Sequence, residues 1–146
     1  MHVRNYAFSA LGGISYPSPM LPLRITNPHT GKSLLAWGLV DTGASQFAIP
    51  ATMAPILGHN LELGQTLPIS TGNGTAAAYL HTTQIDILSL DGSTKVFSIS
   101  SIPVSFMPNL VPVLIGVGNF LELFRLTIDY PHQKFSITGH PYHAGH

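Results

Sequence analysis

The apolar runs of this chain are short, and nearly every one is closed by a residue that turns the backbone. Twelve prolines and fourteen glycines are spread along 146 residues rather than clustered. Proline removes a backbone donor and glycine supplies positive φ, so this punctuation predicts many short strands joined by turns. Residues 20–27 (MLPLRITN) end in the turn signal Asn27-Pro28-His29-Thr30-Gly31. Residues 33–40 (SLLAWGLV) are almost continuously apolar, the pattern of a strand buried on both faces, with Trp37 in the core. Residues 67–70 and 76–80 flank Thr71-Gly72-Asn73-Gly74-Thr75, and Asn-Gly is the strongest short hairpin signal. A second hairpin is predicted around Asp91-Gly92, between residues 84–90 and 95–100. Residues 111–115 form another buried run, and Leu126, Ile128 and Tyr130 alternate opposite Phe135 and Ile137 in a last hairpin. Two short helices are expected. One covers 51–57 and is capped by Gly58; the other covers 120–125, with Asn119 as cap and Glu122 reaching back. The expected fold class is all-β with one or two short helices.

Composition narrows the function. A chain of this length makes about one domain, and such a domain buries roughly 68–70% of its unfolded surface. Six Lys+Arg balance six Asp+Glu, and charged residues are 8% of the chain. That excludes the basic stripe a nucleic-acid partner requires and the charge excess typical of disorder. With no cysteine, disulfide scaffolds, zinc-thiolate sites and thiol nucleophiles fall away. No leader-like h-region or membrane-length apolar run is read, so a cytoplasmic protein without a membrane partner is expected. So little charge on an apolar chain also hints at surface covered by a partner.

One motif carries chemistry: Leu39-Val40-Asp41-Thr42-Gly43-Ala44-Ser45. A buried strand ends in a carboxylate, then a hydroxyl, then the residue that permits a sharp reversal. Asp41 is expected in an apolar setting that favours its protonated form. By itself Asp-Thr-Gly is a common turn. Downstream, however, Val113-Leu114-Ile115-Gly116 precedes the short helix and the Ile128-Asp129-Tyr130 strand. This ordered set resembles the retropepsin-like (retroviral-type) aspartic proteases, over residues 20–138. Residues 1–19 then read as an N-terminal extension and 139–146 as a His-rich tail.

The resemblance implies a barrel-like acid-protease fold and a role for each matching residue. Asp41 is the catalytic aspartate. The hydroxyl of Thr42 grips the partner's loop, and Gly43, Ala44 and Ser45 shape the active-site loop. Thr71, Gly72, Asn73 and Gly74 form the flap over the bound peptide, while Ile115 and Gly116 support the loop from beneath. Aspartic proteolysis needs two carboxylates sharing one proton. One Asp-Thr-Gly on one domain therefore implies a homodimer acting on a peptide or protein, with no metal and no cofactor. The resemblance also marks Tyr16-Pro17 as the kind of aromatic-Pro bond that viral members cut.

The chain departs from the family in two places. Gly116-Val117-Gly118-Asn119 lacks the arginine many retroviral members carry after the hydrophobic-hydrophobic-Gly element, and Gln46 stands near where its acidic partner would lie. The flap is rich in alanine (Ala76, Ala77, Ala78), which predicts shallow substrate contacts. These departures keep a second reading open, a dimeric binding or scaffold domain of the same fold with little proteolysis. A third is a monomeric β-domain with an incidental turn. Asn73-Gly74-Thr75 is a formal glycosylation sequon, read here as a hairpin tip, and Gly116-x-Gly118 lacks the third glycine of a nucleotide loop. Asp129 is expected to point outward, and His140, His143 and His146 to lie in a solvated tail rather than on a metal.

Overall fold

Leu21, Leu23 and Ile25 lie two residues apart in β2 (Met20–Thr26), so all three point to one side, and all three are fully buried. Their partners across the ladder are Gly38, Ala36 and Leu34 of β3 (Ser33–Val40). On the other flank, Leu23 and Ile25 pair with Ile87 and Ile85 of β6 (Gly74–Leu88), also fully buried. Each such aliphatic side chain, once enclosed, contributes about 1.5–3 kcal/mol, which makes this three-strand seam the centre of the core.

The computed structural model describes residues 2–71 and 74–140. The remaining strands are β1 (His2–Ala7), β4 (Ala48–Pro50), β5 (Gln65–Thr71), β7 (Lys95–Met107), β8 (Val113–Ile115), β9 (Arg125–Asp129) and β10 (Lys134–Thr138). Seven strands run in the order β2-β3-β8-β4-β7-β6-β5. The extra β2–β6 pairing brings this sheet back on itself as a barrel and leaves β5 outside on β6. The fold is mostly β and barrel-like, as the motifs imply. Most neighbours are antiparallel, but β3–β8 and β4–β7 are parallel. A second sheet of three strands has the order β1-β10-β9.

Both internal hairpins form as expected. β5 and β6 pair from Gln65↔Leu80 out to Thr71↔Gly74, and the β6–β7 turn spans Asp91-Gly92. Gly92 takes φ +77, and Asp91 Oδ1 accepts from the Ser93 amide at 2.9 Å. The last hairpin pairs Ile128 with Phe135 and Leu126 with Ile137. Asp129 is exposed and bonded to His132, as alternation predicts.

Several expectations are corrected. Each short helix is present only as a single 3-10 turn. Residues 51–57 make one 3-10 turn, Ala51–Met53, followed by further turns. Pro55 lacks the N–H that would continue an α-helix. Gly58 does end the segment, at φ +75 with its amide bonded to Pro55 O. Residues 120–125 contain only the 3-10 turn Leu121–Leu123, because Phe124 is already extended and leads into β9. Asn119 makes no side-chain cap; it sits at φ +66 while Glu122 Oε1 accepts its amide at 3.1 Å. β3 is not buried on both faces: Leu35 is 67% exposed and Trp37 only half-buried. The physical reason is alternation: Leu35 shares the outer face of the sheet with its cross-strand partner Arg24, which is also exposed, while Gly38 and Val40 point the other way and are buried. Val111 is likewise outside the strand and exposed. Within residues 1–19, β1 pairs with β10 from His2↔Thr138 to Ala7↔Lys134, and Val3 is fully buried.

Candidate active site

The carboxylate of interest stands where two parallel strands end together. β3 and β8 pair through Val40↔Ile115, and the next amide, Asp41 N–H, donates to Ile115 O at 3.0 Å. The chain then reverses. Ala44 N–H donates to Asp41 O at 3.1 Å, and Gly43 N–H donates to the Asp41 carboxylate Oδ1 at 2.9 Å. A charge-assisted bond of this kind fixes the side-chain rotamer as well as the loop.

From beneath, Val117 N–H donates to Ala44 O at 3.0 Å and Gly118 N–H to Ser45 O at 2.8 Å. Gly116 passes so close under the loop that a Cβ there would lie 2.3 Å from the carbonyl carbon and oxygen of Gln46. A Cβ on Gly118 would come within 3.0 Å of Ser45 O. Both glycines are therefore needed for close backbone approach, which accounts for the Gly-x-Gly spacing without a nucleotide.

Asp41 is half-buried, not enclosed, because one side of the loop is open: Thr42, Gly43, Ser45 and Gln46 are all exposed. Among the described residues the Thr42 side chain makes no hydrogen bond within the chain. Asp41 lies in a groove of about 940 Å³. One wall is the loop itself; facing it are Leu67, Pro68 and Ile69 of β5 and Leu80 of β6, with Ile102, Pro103 and Met107 of β7 along the side. The β5–β6 hairpin lines the groove with Leu67, Pro68, Ile69 and Leu80 rather than with Ala76, Ala77 and Ala78. Of the proposed flap residues, Thr71 and Gly74 close the ladder, with Gly74 at φ +117, while Gly72 and Asn73 lie outside the described residues.

A carboxylate held at a loop apex, flanked by backbone amides and an apolar trough, can activate water or polarise a carbonyl. Among the described residues Asp41 is the only acid lining the groove, so none of them places a second carboxylate there. The sequence pattern of the family described as "gag-polyprotein putative aspartyl protease" matches residues 37–122, more than half the chain. The chain belongs to this aspartyl protease family. No curated protein sequence matches it.

Among solved structures, this aspartyl protease family member is similar to a retropepsin-like aspartic protease from Rickettsia conorii. The TM-score is 0.55 at 20% identity, covering 84% of this chain and 95% of that one. The retroviral protease-like domain of Ddi1 from Leishmania major aligns over 85% of this chain and 94% of that one, at 15% identity and TM-score 0.42.

Groove residues beyond the motif were not read from the sequence. Leu67, Ile69, Ile102, Pro103 and Met107 come from strands far apart in the chain, and no local pattern marks them. Among the described residues no three metal-binding side chains cluster, and no helix is long and apolar enough to cross a membrane. His143 and His146 lie outside the described residues, and His140 is exposed.

Proposed function

We propose that this protein is a homodimeric aspartic endopeptidase in which each copy contributes one Asp41. The observation that carries this reading is the setting of Asp41. Its rotamer is held by Gly43 N–H and its loop by β8, and it lines a groove shared with the β5–β6 hairpin. Two such carboxylates brought together by a two-fold axis cannot both ionise, so one serves as general base toward water while the other protonates the scissile carbonyl. No covalent intermediate is needed. An extended peptide fits the trough by adding its backbone to the flap strands, with apolar side chains against Leu67, Ile69 and Met107. The pH optimum is acidic because one carboxyl of the pair must keep its proton.

The open rim of the loop supports the dimer. Thr42, Gly43 and Ser45 line a second concavity of about 620 Å³ together with Val117, Gly118 and Glu122. A second copy seated there would receive the Thr42 hydroxyl.

The test is peptide cleavage by the wild type and by Asp41→Asn, with and without pepstatin. The variant should lose roughly 10²–10⁴-fold or more of the rate, the usual contribution of a general acid–base group. Cleavage by Asp41→Asn at the wild-type rate would end the reading. The absent arginine after Gly116 favours one alternative, a scaffold dimer of the same fold. A dimer by light scattering with no pepstatin-sensitive cleavage of any peptide would select it.

A further inference from the structure

Behind the flap, on the face of the hairpin away from the groove, two imidazoles are stacked. The rings of His59 and His81 have centroids 4.6 Å apart and planes 32° apart, and both meet Phe106 of β7 edge-on at 5.3 and 5.5 Å. His81 lies in β6 directly after Leu80, so alternation sends Leu80 into the groove and His81 to the back. Gly64, the residue before β5, rests on that ring: a Cβ there would lie 2.7 Å from His81 Nε2. The stack thus joins the 54–64 segment to the root of both flap strands.

The protons can be assigned from the partners. Leu61 O lies 2.8 Å from His81 Nε2, and a carbonyl only accepts, so His81 Nε2 carries the hydrogen. Asn27, only 2% exposed, has its amide locked: Nδ2 donates to Leu57 O at 2.8 Å and Oδ1 accepts from the His29 amide at 2.9 Å. Its NH₂ therefore faces His59 Nδ1 at 3.3 Å, which must accept and stay unprotonated. The hydrogen of His59 then sits on Nε2, which is buried with no partner among the described residues. Adding a second proton would set N–H against NH₂ and charge a ring stacked on another imidazole. Flipping Asn27 to relieve this would break both of its other bonds.

We propose that the His59–His81 stack is a proton-sensitive latch on the flap's root, closed when both rings are neutral and released when acid charges His59. Its consequence for catalysis rests on the protease reading, but the latch itself does not. Among the described residues nothing nearby offsets the charge. The surrounding elements present His81 from β6, His29 and Lys32 from the β2–β3 turn, and the uncharged Asn27 and Phe106. Glu62 is the one acid on the 3-10 turn Leu61–Leu63; it is exposed, and among the described residues neither stacked ring forms an ion pair. Burial foremost, then His81 and His29, hold His59 below its ordinary value of 6.5. With the folded value depressed, the latch is intact above that ordinary value and weakens as pH falls from it toward the folded value.

The experiment is hydrogen exchange on the full chain without substrate, at several values between about pH 7.5 and 4.5, corrected for intrinsic rates. In the wild type, residues 59–70 should lose protection on acidification relative to β10, whose strand carries neither ring. His59→Phe keeps a ring on His81 but cannot charge, so the pH-dependent difference should vanish. Asn27→Asp turns the facing group into an acceptor, so protection of the same residues should hold or rise in acid. Should either variant fold poorly, the other still decides. In cleavage assays the wild type's acid loss should fall on KM rather than kcat, and His59→Phe should remove it. Uniform protection of 59–70 in the wild type across the range, or a His59 titration above 6.5 by NMR, would overturn the latch. Absence of peptide cleavage alone would count against the protease reading and leave the exchange result standing.

Discussion

Gly116→Ala isolates the contact on which the candidate site is built. The backbone of Gly116 is outside the left-handed region, so alanine costs nothing in φ and the whole effect is one of space. The new methyl would sit 2.3 Å from the carbonyl carbon and oxygen of Gln46 and 2.7 Å from its Cα, all backbone atoms. Carbon contacts settle near 3.5–4.0 Å, so the loop or β8 has to move by more than about 1 Å. A displacement of that size carries the Val117–Ala44 and Gly118–Ser45 bonds, now 3.0 and 2.8 Å, out of hydrogen-bond range. Overpacking contributes about 1–3 kcal/mol and each lost bond about 0.5–1.5 kcal/mol, giving about 2–6 kcal/mol in total.

Gly92→Ala provides the opposite case. It has open space around it but φ +77, so it pays strain alone, about 1–2 kcal/mol. Urea unfolding of both variants beside the wild type, with m values compared, measures the difference. Cleavage should fall for Gly116→Ala, whose shift moves the Asp41 loop, and stay at the wild-type level for Gly92→Ala. If Gly116→Ala costs no more than Gly92→Ala and leaves cleavage unchanged, the close approach beneath the loop does not hold the site.

Two further outcomes test the frame around the site. Asp86 is buried in β6, accepting from Ser98 Oγ at 2.7 Å and from Gln84 Nε2 at 3.3 Å, so Ser98→Ala removes the shorter donor. Stability in urea should drop by about 1–3 kcal/mol, the cost of an under-satisfied buried polar group. Asp91 is exposed at the β6–β7 turn, where bonds from the Ser89 hydroxyl, then the Ser93 amide and hydroxyl, hold its carboxyl down to about 2. The turn's contribution is present above the ordinary aspartate value and lost as pH falls through the folded one. NMR should therefore show Asp91 titrating near 2 in the wild type and closer to the ordinary value in Ser89→Ala.

Local rules carried the sequence reading a long way and failed where distance along the chain mattered. The Asp91-Gly92 turn and the Leu126/Ile137 register follow from alternation and turn chemistry within about a dozen residues. The Thr71/Gly74 hairpin was legible for the same reason. Gly116 is legible beside the Asp-Thr-Gly motif because a Cβ there would meet the backbone of Gln46. Closure of the barrel by Leu23↔Ile87 and Ile25↔Ile85 was not, since nothing in either strand names its distant neighbour. β1 escaped notice too: its ladder is interrupted between Val3 and Tyr6, with Asn5 at φ 53, so no regular alternation betrays it. The helices are shorter than their end signals suggest: Glu122 does reach back to the Asn119 amide and Gly58 does take positive φ, yet each closes only turns and a single 3-10 segment.

The low charge of the chain bears on the proposed dimer through the open face of the Asp41 loop. One face of the Asp41 loop is buttressed by backbone bonds to β8, and the other presents Thr42, Gly43, Ser45 and Gln46 to solvent. The Asp41 carboxylate braces the loop through Gly43 N–H yet stays half-exposed, and among the described residues the Thr42 hydroxyl at the apex has no partner. Under the proposed reading that open face meets its own copy, which supplies the second Asp41 and a partner for Thr42. The apolar groove is then shared between two chains. The missing arginine bears on how tightly the copies hold, not on whether the carboxylates can share a proton. Affinity between copies and chemistry within the pair are therefore separable: a weakly associating wild type should gain specific activity with concentration, while Asp41→Asn should stay inactive however concentrated it is.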